Sequence, residues 1–197
     1  MATSTTKTNR SRQLSASDWT RAAMDAIVSD GVAGVAVEPL AAKLGATKGS
    51  FYHHFATRDA LIAAALEDWE RAQTEAVIER MELIADPGER LRAIMAAAMA
   101  DRAGAIRDAA LVSAATHPMV KPVVERVMQR RLTYMTEVCS ELGLDAAHAR
   151  RRVLLLYSSY LGLFDYLRVG IGPDLDDGEL RAYTQELLAV LVPTTSP

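Results

Sequence analysis

Apolar positions recur every three or four residues along most of this chain, the period of helices with one buried face. Trp19, Ala22, Ala23, Ala26 and Ile27 mark a first helix, capped by Ser15 or Ser17 and stopped near Gly31. Val37, Leu40, Ala41 and Leu44 mark a second, in which Pro39 is tolerable because the first helical turn does not need its N–H. Gly45 suits the left-handed position that ends a helix, and Thr47 is a good cap for a short third one. Thr57 caps a fourth helix predicted to reach about residue 85, along the stripe Ile62, Leu66, Trp69, Gln73, Val77, Arg80, Met81 and Ile84. At 1.5 Å per residue it would be roughly 40 Å long, a rigid link between a small N-terminal domain and whatever follows.

Asp86-Pro87-Gly88 breaks that helix, and five more are predicted. Residues 89–103 bury Leu91, Ile94, Met95, Ala98 and Met99, and a shorter helix after Gly104 carries Ile106, Leu111 and Val112. Residues 120–142 put Val124, Val127, Arg131, Met135, Val138 and Leu142 on one face. Asp145 caps a helix reaching Val169, and Asp177 caps the last, with Leu180, Tyr183, Leu187, Leu188 and Leu191 as its stripe. The expectation is an all-α protein of about nine helices. Half the residues are hydrophobic, few are aromatic and alanine is abundant, which agrees.

Residues 36–61, AVEPLAAKLGATKGSFYHHFATRDAL, read as two short helices around a tight turn and the start of another. That is the helix-turn-helix plan, whose second helix enters the DNA major groove. Lys48 and Ser50 can donate to phosphates or base edges, and Gly49 lets the backbone approach closely. Tyr52, His53 and His54 offer donors to the sugar-phosphate backbone, while Phe51 and Phe55 can pack inward. An ordinary solvated hairpin with two exposed histidines fits the hairpin pattern as well.

The run Leu40-Ala41, Leu44-Gly45-Ala46-Thr47-Lys48-Gly49-Ser50-Phe51-Tyr52-His53-His54-Phe55 and Thr57-Arg58-Asp59-Ala60-Leu61 resembles the N-terminal signature of the tetracycline-repressor (TetR) family. The family pattern is an Ile-Ala pair, Ala-Gly-Val-Ser, a Gly, a Tyr, a His-Phe, then Ser-Lys-Glu-Glu-Leu, and about a dozen positions agree in order and spacing. Ala36 stands where a capping Thr is common, a loss of roughly 1 kcal/mol at the helix start. Ala46 replaces a Val, and Arg58 replaces a Lys, keeping the charge on a planar fork. The resemblance implies a helix-turn-helix domain over residues 17–60 and a helical ligand-binding and dimerisation domain over 61–192, between a basic arm (1–16) and a frayed tail (193–197). It implies a dimer that binds a palindromic double-stranded operator through Thr47, Lys48, Gly49, Ser50, Tyr52, His53, His54 and Arg58, most simply as a repressor released by a small molecule.

Charge distribution is consistent with that plan. The net charge of −3 divides into +2 over residues 1–60 and −5 over the rest. Lys7, Arg10 and Arg12 precede the first helix with no acid among the first seventeen residues, either as an arm on the DNA backbone or minor groove or as a solubilising tail. The single Cys139 cannot form an intrachain disulfide, so a reducing cytoplasm is the expected compartment. No apolar run approaches the ~20 residues of a membrane span, and the polar start leads us to expect no signal peptide.

The stretch from Val153 to Phe164 is apolar almost all the way round a helix, and such a helix is buried on every side. A bundle shared by two copies satisfies it, with Leu154, Ser158, Leu161 and Gly162 facing Tyr183, Leu187, Leu188 and Leu191; the alternative is an internal helix of a monomer. Met95, Met99, Met128 and Met135, with Trp69, Tyr134, Tyr157, Tyr160 and Phe164, either fill an ordinary core or line a cavity for a hydrophobic or aromatic effector. The family resemblance favours the cavity. His117 is either a polar ligand contact or a capping residue before Pro118. No phosphate loop, paired zinc cysteines or His-Glu-x-x-His motif supports an enzyme, and no cofactor or metal is expected. A helical protein-interaction module is the other alternative.

Overall fold

A computed structural model describes residues 14–191, with side chains through Ala189. The basic arm with Lys7, Arg10 and Arg12, the tail and the Leu191 side chain lie outside the described residues. The fold is all-α, with nine helices among the described residues.

Helix α1 (Ala16–Asp30) starts on Ser15, not Ser17: the Asp18 N–H donates to Ser15 Oγ at 3.3 Å, and the Ser15 N–H donates back to Asp18 Oδ2 at 2.9 Å. Gly31, at φ +70°, turns the chain into a single 3₁₀ turn, Val32–Gly34. Helices α2 (Val37–Lys43) and α3 (Lys48–His54) follow. Ala36 gives α2 no side-chain cap, whereas the Thr47 hydroxyl accepts the Ser50 N–H at 3.2 Å at the start of α3. Trp19 of α1 and Phe51 of α3, both fully buried, meet edge to face with ring centroids 5.4 Å apart. Phe51 therefore seats α3 rather than reading DNA, and truncating it would cost about 3–5 kcal/mol.

Helix α4 covers residues 58–81 but is not uniform. Arg58–Glu70 is α-helical, Arg71–Glu75 is a π turn, and Ala76–Met81 is α-helical again. The π turn widens the spacing of the buried stripe, which runs Leu61, Ile62, Ala65, Leu66 and Trp69, then jumps five residues to Thr74 before Ile78 and Met81. The regular sequence stripe through Gln73, Val77 and Arg80 is displaced to half-buried or exposed positions. The helix also stops at Met81, four residues before the predicted end.

Helix α5 (Pro87–Ala100) is capped by Asp86, which accepts the Glu89 N–H at 2.7 Å, with Pro87 in the first turn. Helix α6 (Arg102–Ser113) begins at Asp101 and not after Gly104. The Asp101 carboxylate caps the Gly104 N–H at 2.9 Å, and a Cβ on Gly104 would lie 2.2 Å from that carboxylate. Gly104 thus makes room for the cap. Helix α7 (Lys121–Glu141) carries Pro122 in its first turn, and α8 (Ala146–Val169) is capped by Asp145. In α9 (Asp177–Leu191) the cap is Asp176 rather than Asp177, since Asp176 accepts the Gly178 and Glu179 N–H groups at 2.7 and 2.9 Å.

Two apolar cores result. The first joins α1–α3 to the N-terminal half of α4 and includes Leu111, Val120, Val124 and Val127 from the second half of the chain. The N-terminal helices therefore rest on α6 and α7, besides being joined to them by α4. The second core lies among α4–α9 and holds Met95, Met99, Tyr134, Met135, Tyr157, Tyr160 and Phe164. Met128 packs against both.

A candidate DNA interface and an internal cavity

Helix α3 lies at the surface. Thr47, Lys48, Gly49, Tyr52 and His53 are exposed and Ser50 is half-buried. A Cβ at Gly49 would meet nothing closer than Thr47 Oγ1 at 3.6 Å, so its outer face is open. Lys48 is paired with Glu38 of α2, a contact that raises the lysine's pKa and lowers the carboxyl's. Two residues expected at DNA are engaged inside the protein instead. Arg58 Nε donates to the Val35 carbonyl at 2.6 Å, Nη2 donates to the Val32 carbonyl, and Nη1 sits 3.2 Å from Asp59. Its planar fork spreads donors over three nitrogens and fastens the 3₁₀ turn to α4, which the single nitrogen of a Lys could not span in the same way. His54 Nε2 bonds the Leu14 carbonyl at 2.9 Å and ties the end of α3 to the chain before α1.

Behind this domain, α4–α8 line a cavity of about 540 Å³ that opens to solvent beside Arg80 and Asp101. Of the residues expected to line it, Met95, Tyr134, Met135, Tyr157 and Tyr160 do so. Met99, Met128 and Phe164 are not in its wall; Phe164 is fully buried and backs Tyr160, edge to face at 5.2 Å. His117 is not in the wall either: its Nδ1 accepts the Met119 N–H at 3.2 Å and closes the turn into α7. Trp69 lies beyond the cavity floor, where its indole N–H donates to Asp108 Oδ1 at 2.8 Å.

That floor is polar, and periodicity did not disclose it. Arg131 Nη1 lies 2.6 Å from Asp108 Oδ2 and 3.2 Å from the Tyr157 hydroxyl. Arg131 Nε donates to Thr74 Oγ1 at 2.9 Å, and Nη2 donates to the Gln73 carbonyl at 3.0 Å. The Tyr160 hydroxyl donates to Asp108 Oδ2 at 3.2 Å. A buried ion pair is tolerable when most of its remaining groups are satisfied, as here. Burial opposes the charge of Arg131, yet the Asp108 carboxylate and the Tyr157 hydroxyl outweigh it and hold its pKa above the usual guanidinium value. Burial, reinforced by Asp108, raises the Tyr160 pKa. Tyr134, one turn along α7 from Arg131, is pushed up to about 12 by burial and then by the Glu82 carboxylate. An arginine within the apolar stripe of α7 was the visible signal; its partner Asp108 sits among alanines with no comparable mark.

The outer face of α8 stays exposed. Leu154 and Leu155 are 53% and 61% accessible and Tyr166 55%. Ser158 lies exposed among them, and a Cβ on Gly162 would find open space. Leu161, Tyr183, Leu187 and Leu188 are half-buried against the second core, and the Tyr183 hydroxyl donates to the Ser159 carbonyl at 3.4 Å. Among the described residues no helix is long and apolar enough to cross a membrane, and no His, Cys, Asp and Glu cluster could hold a metal.

Residues 20–65 match the family model described as bacterial regulatory proteins, tetR family. Solved structures share the fold over nearly the whole chain. A transcriptional regulator of the TetR family from Agrobacterium tumefaciens is 21% identical, covering 90% of this chain and 97% of its own, with a TM-score of 0.73. A transcriptional regulator from Rhodococcus sp. Rha1 is 23% identical, at 90% and 96% coverage, with a TM-score of 0.68. AibR, solved in complex with isovaleryl coenzyme A and operator DNA, is 20% identical, at 90% and 98% coverage, with a TM-score of 0.67. No curated protein matches the chain in sequence.

Proposed function

We propose, from a chain that carries the tetR-family N-terminal domain in residues 20–65 and that family's fold throughout, that it acts in the cytoplasm as a dimeric repressor. It grips a palindromic operator with paired α3 helices and releases it when a small, largely apolar effector fills the cavity. The observation that carries this reading is the continuity of α4. Its first residues belong to the core that seats α3, and its π turn forms part of the cavity wall through Gln73 and Thr74. A molecule lodged there bears on the helix that carries the DNA-facing unit. It weakens DNA binding only as far as it prefers the DNA-incompetent arrangement.

Dimerisation through α8 and α9 fits the exposed leucines beside Ser158 and Gly162, where small residues let two helices approach. Two copies of α3 spaced about 34–36 Å apart match successive major-groove faces. AibR, solved with both isovaleryl coenzyme A and operator DNA, supports the pairing of a small molecule and DNA on one fold. The similar solved proteins are regulators, which favours this reading over an enzyme. Selection of tight-binding duplexes from a random pool by the full-length protein tests the proposal. An enriched inverted repeat is expected; a pool without enrichment overturns it.

A further inference from the structure

We infer that the cavity selects an uncharged effector bearing a hydroxyl, an alcohol or a phenol, on an apolar body; this rests on the cavity being the effector site. The charged side chains in its wall are Arg80, Asp101, Asp108 and Arg131, two of each sign, so the cavity offers no net charge to an ionic head. The buried pair is also closed to one. Arg131 has spent four of its five N–H groups, and Asp108 already accepts from Trp69, Arg131 and Tyr160. A carboxylate brought to Arg131 would stand beside the carboxylate of Asp108, and an ammonium brought to Asp108 would stand beside the guanidinium. Each like-charge approach takes place in a poorly screened interior.

The hydroxyls of Tyr157 and Tyr160 leave something more specific. The Tyr157 oxygen accepts from Arg131, so its own hydrogen remains to be donated, and no acceptor for it occurs among the described residues. The Tyr160 hydrogen is committed to Asp108, so its oxygen keeps a lone pair to accept with. The two rings lie 6.0 Å apart along the cavity wall. Side by side, they present one donor and one acceptor. A ligand hydroxyl answers both, accepting from Tyr157 and donating to Tyr160. A carboxylate or a ketone can only accept, and an ammonium can only donate.

The test uses the full-length protein and three probes of one shape: 4-butylphenol, 4-butylbenzoate and 4-butylbenzylammonium, titrated calorimetrically at neutral pH. The phenol is expected to bind at least about tenfold more tightly than either ion. Tyr157→Phe, which keeps the ring, should remove about tenfold of the phenol's affinity and little of the ions'. Tyr160→Phe gives a second reading should Tyr157→Phe fail to fold. An ion binding as tightly as the phenol, or tyrosine variants that bind the phenol unchanged, overturns the inference while leaving the cavity an effector site. Binding of none of the three overturns both.

Discussion

Trp69 on α4 and Asp108 on α6 are joined by a buried hydrogen bond of 2.8 Å, and the same carboxylate holds Arg131 of α7 at 2.6 Å. One carboxylate therefore ties the helix bearing the helix-turn-helix to the cavity floor. Removing it leaves a buried guanidinium without its counter-ion. Asp108→Ala should cost about 3–5 kcal/mol in urea unfolding. The double variant Asp108→Ala with Arg131→Met should recover much of that loss, since no lone charge then remains inside.

The π turn makes a smaller demand. Arg131 Nε bonds the Thr74 hydroxyl, and Arg131 Nη2 bonds the carbonyl just before it. Thr74→Val keeps the volume and deletes one acceptor, so about 1–2 kcal/mol should be lost in the same unfolding measurement.

Much of this architecture was legible in the sequence. The helix-turn-helix showed itself because Gly45, Thr47 and the three- and four-residue spacing each have a local cause. The apolar run round α8 from Val153 to Phe164 was equally visible. Two things were hidden. A π turn breaks the helical period without any proline or glycine to announce it, so regular spacing puts Gln73 in the stripe and passes over the buried Thr74. The Asp108–Arg131 pair joins residues 23 apart on different helices, and only the fold brings them together. Likewise Arg58 looked like a phosphate ligand because its charge was visible and the Val32 and Val35 carbonyls waiting for it were not.

A surface pair between α4 and α7 gives a pH-dependent outcome. Arg126 of α7 bonds the Glu70 carboxylate and holds its pKa below the ordinary value of 4.5. A carboxyl with a depressed folded pKa stabilises the protein fully above its unfolded pKa, and that contribution is lost as pH falls through the folded value. Wild type should therefore exceed Glu70→Gln by about 0.5–1 kcal/mol at neutral pH, and the gap should close below about pH 4. Urea midpoints of both proteins across that range check it.

Glu38 stands beside Lys48 on the exposed face of the helix-turn-helix and would compete with a DNA phosphate for the same ammonium. Glu38→Gln should tighten DNA binding about two- to fivefold at low salt. Lys48→Ala should weaken it and lower the salt slope by about one. Fluorescence anisotropy at several salt concentrations reads both.

Leu155 is 61% exposed on the face of α8 assigned to a second copy. Leu155→Glu should shift sedimentation from dimer toward monomer while helical content by circular dichroism holds.

Sedimentation of the full-length protein with a labelled inverted-repeat duplex taken from the random-pool selection, at about 0.15 M salt, bears most directly on the regulator reading. Two protomers should travel with each repeat, Lys48→Ala should abolish most of the complex, and a scrambled duplex should stay free. A single protomer bound equally to repeat and scramble, or no complex with either, would contradict it.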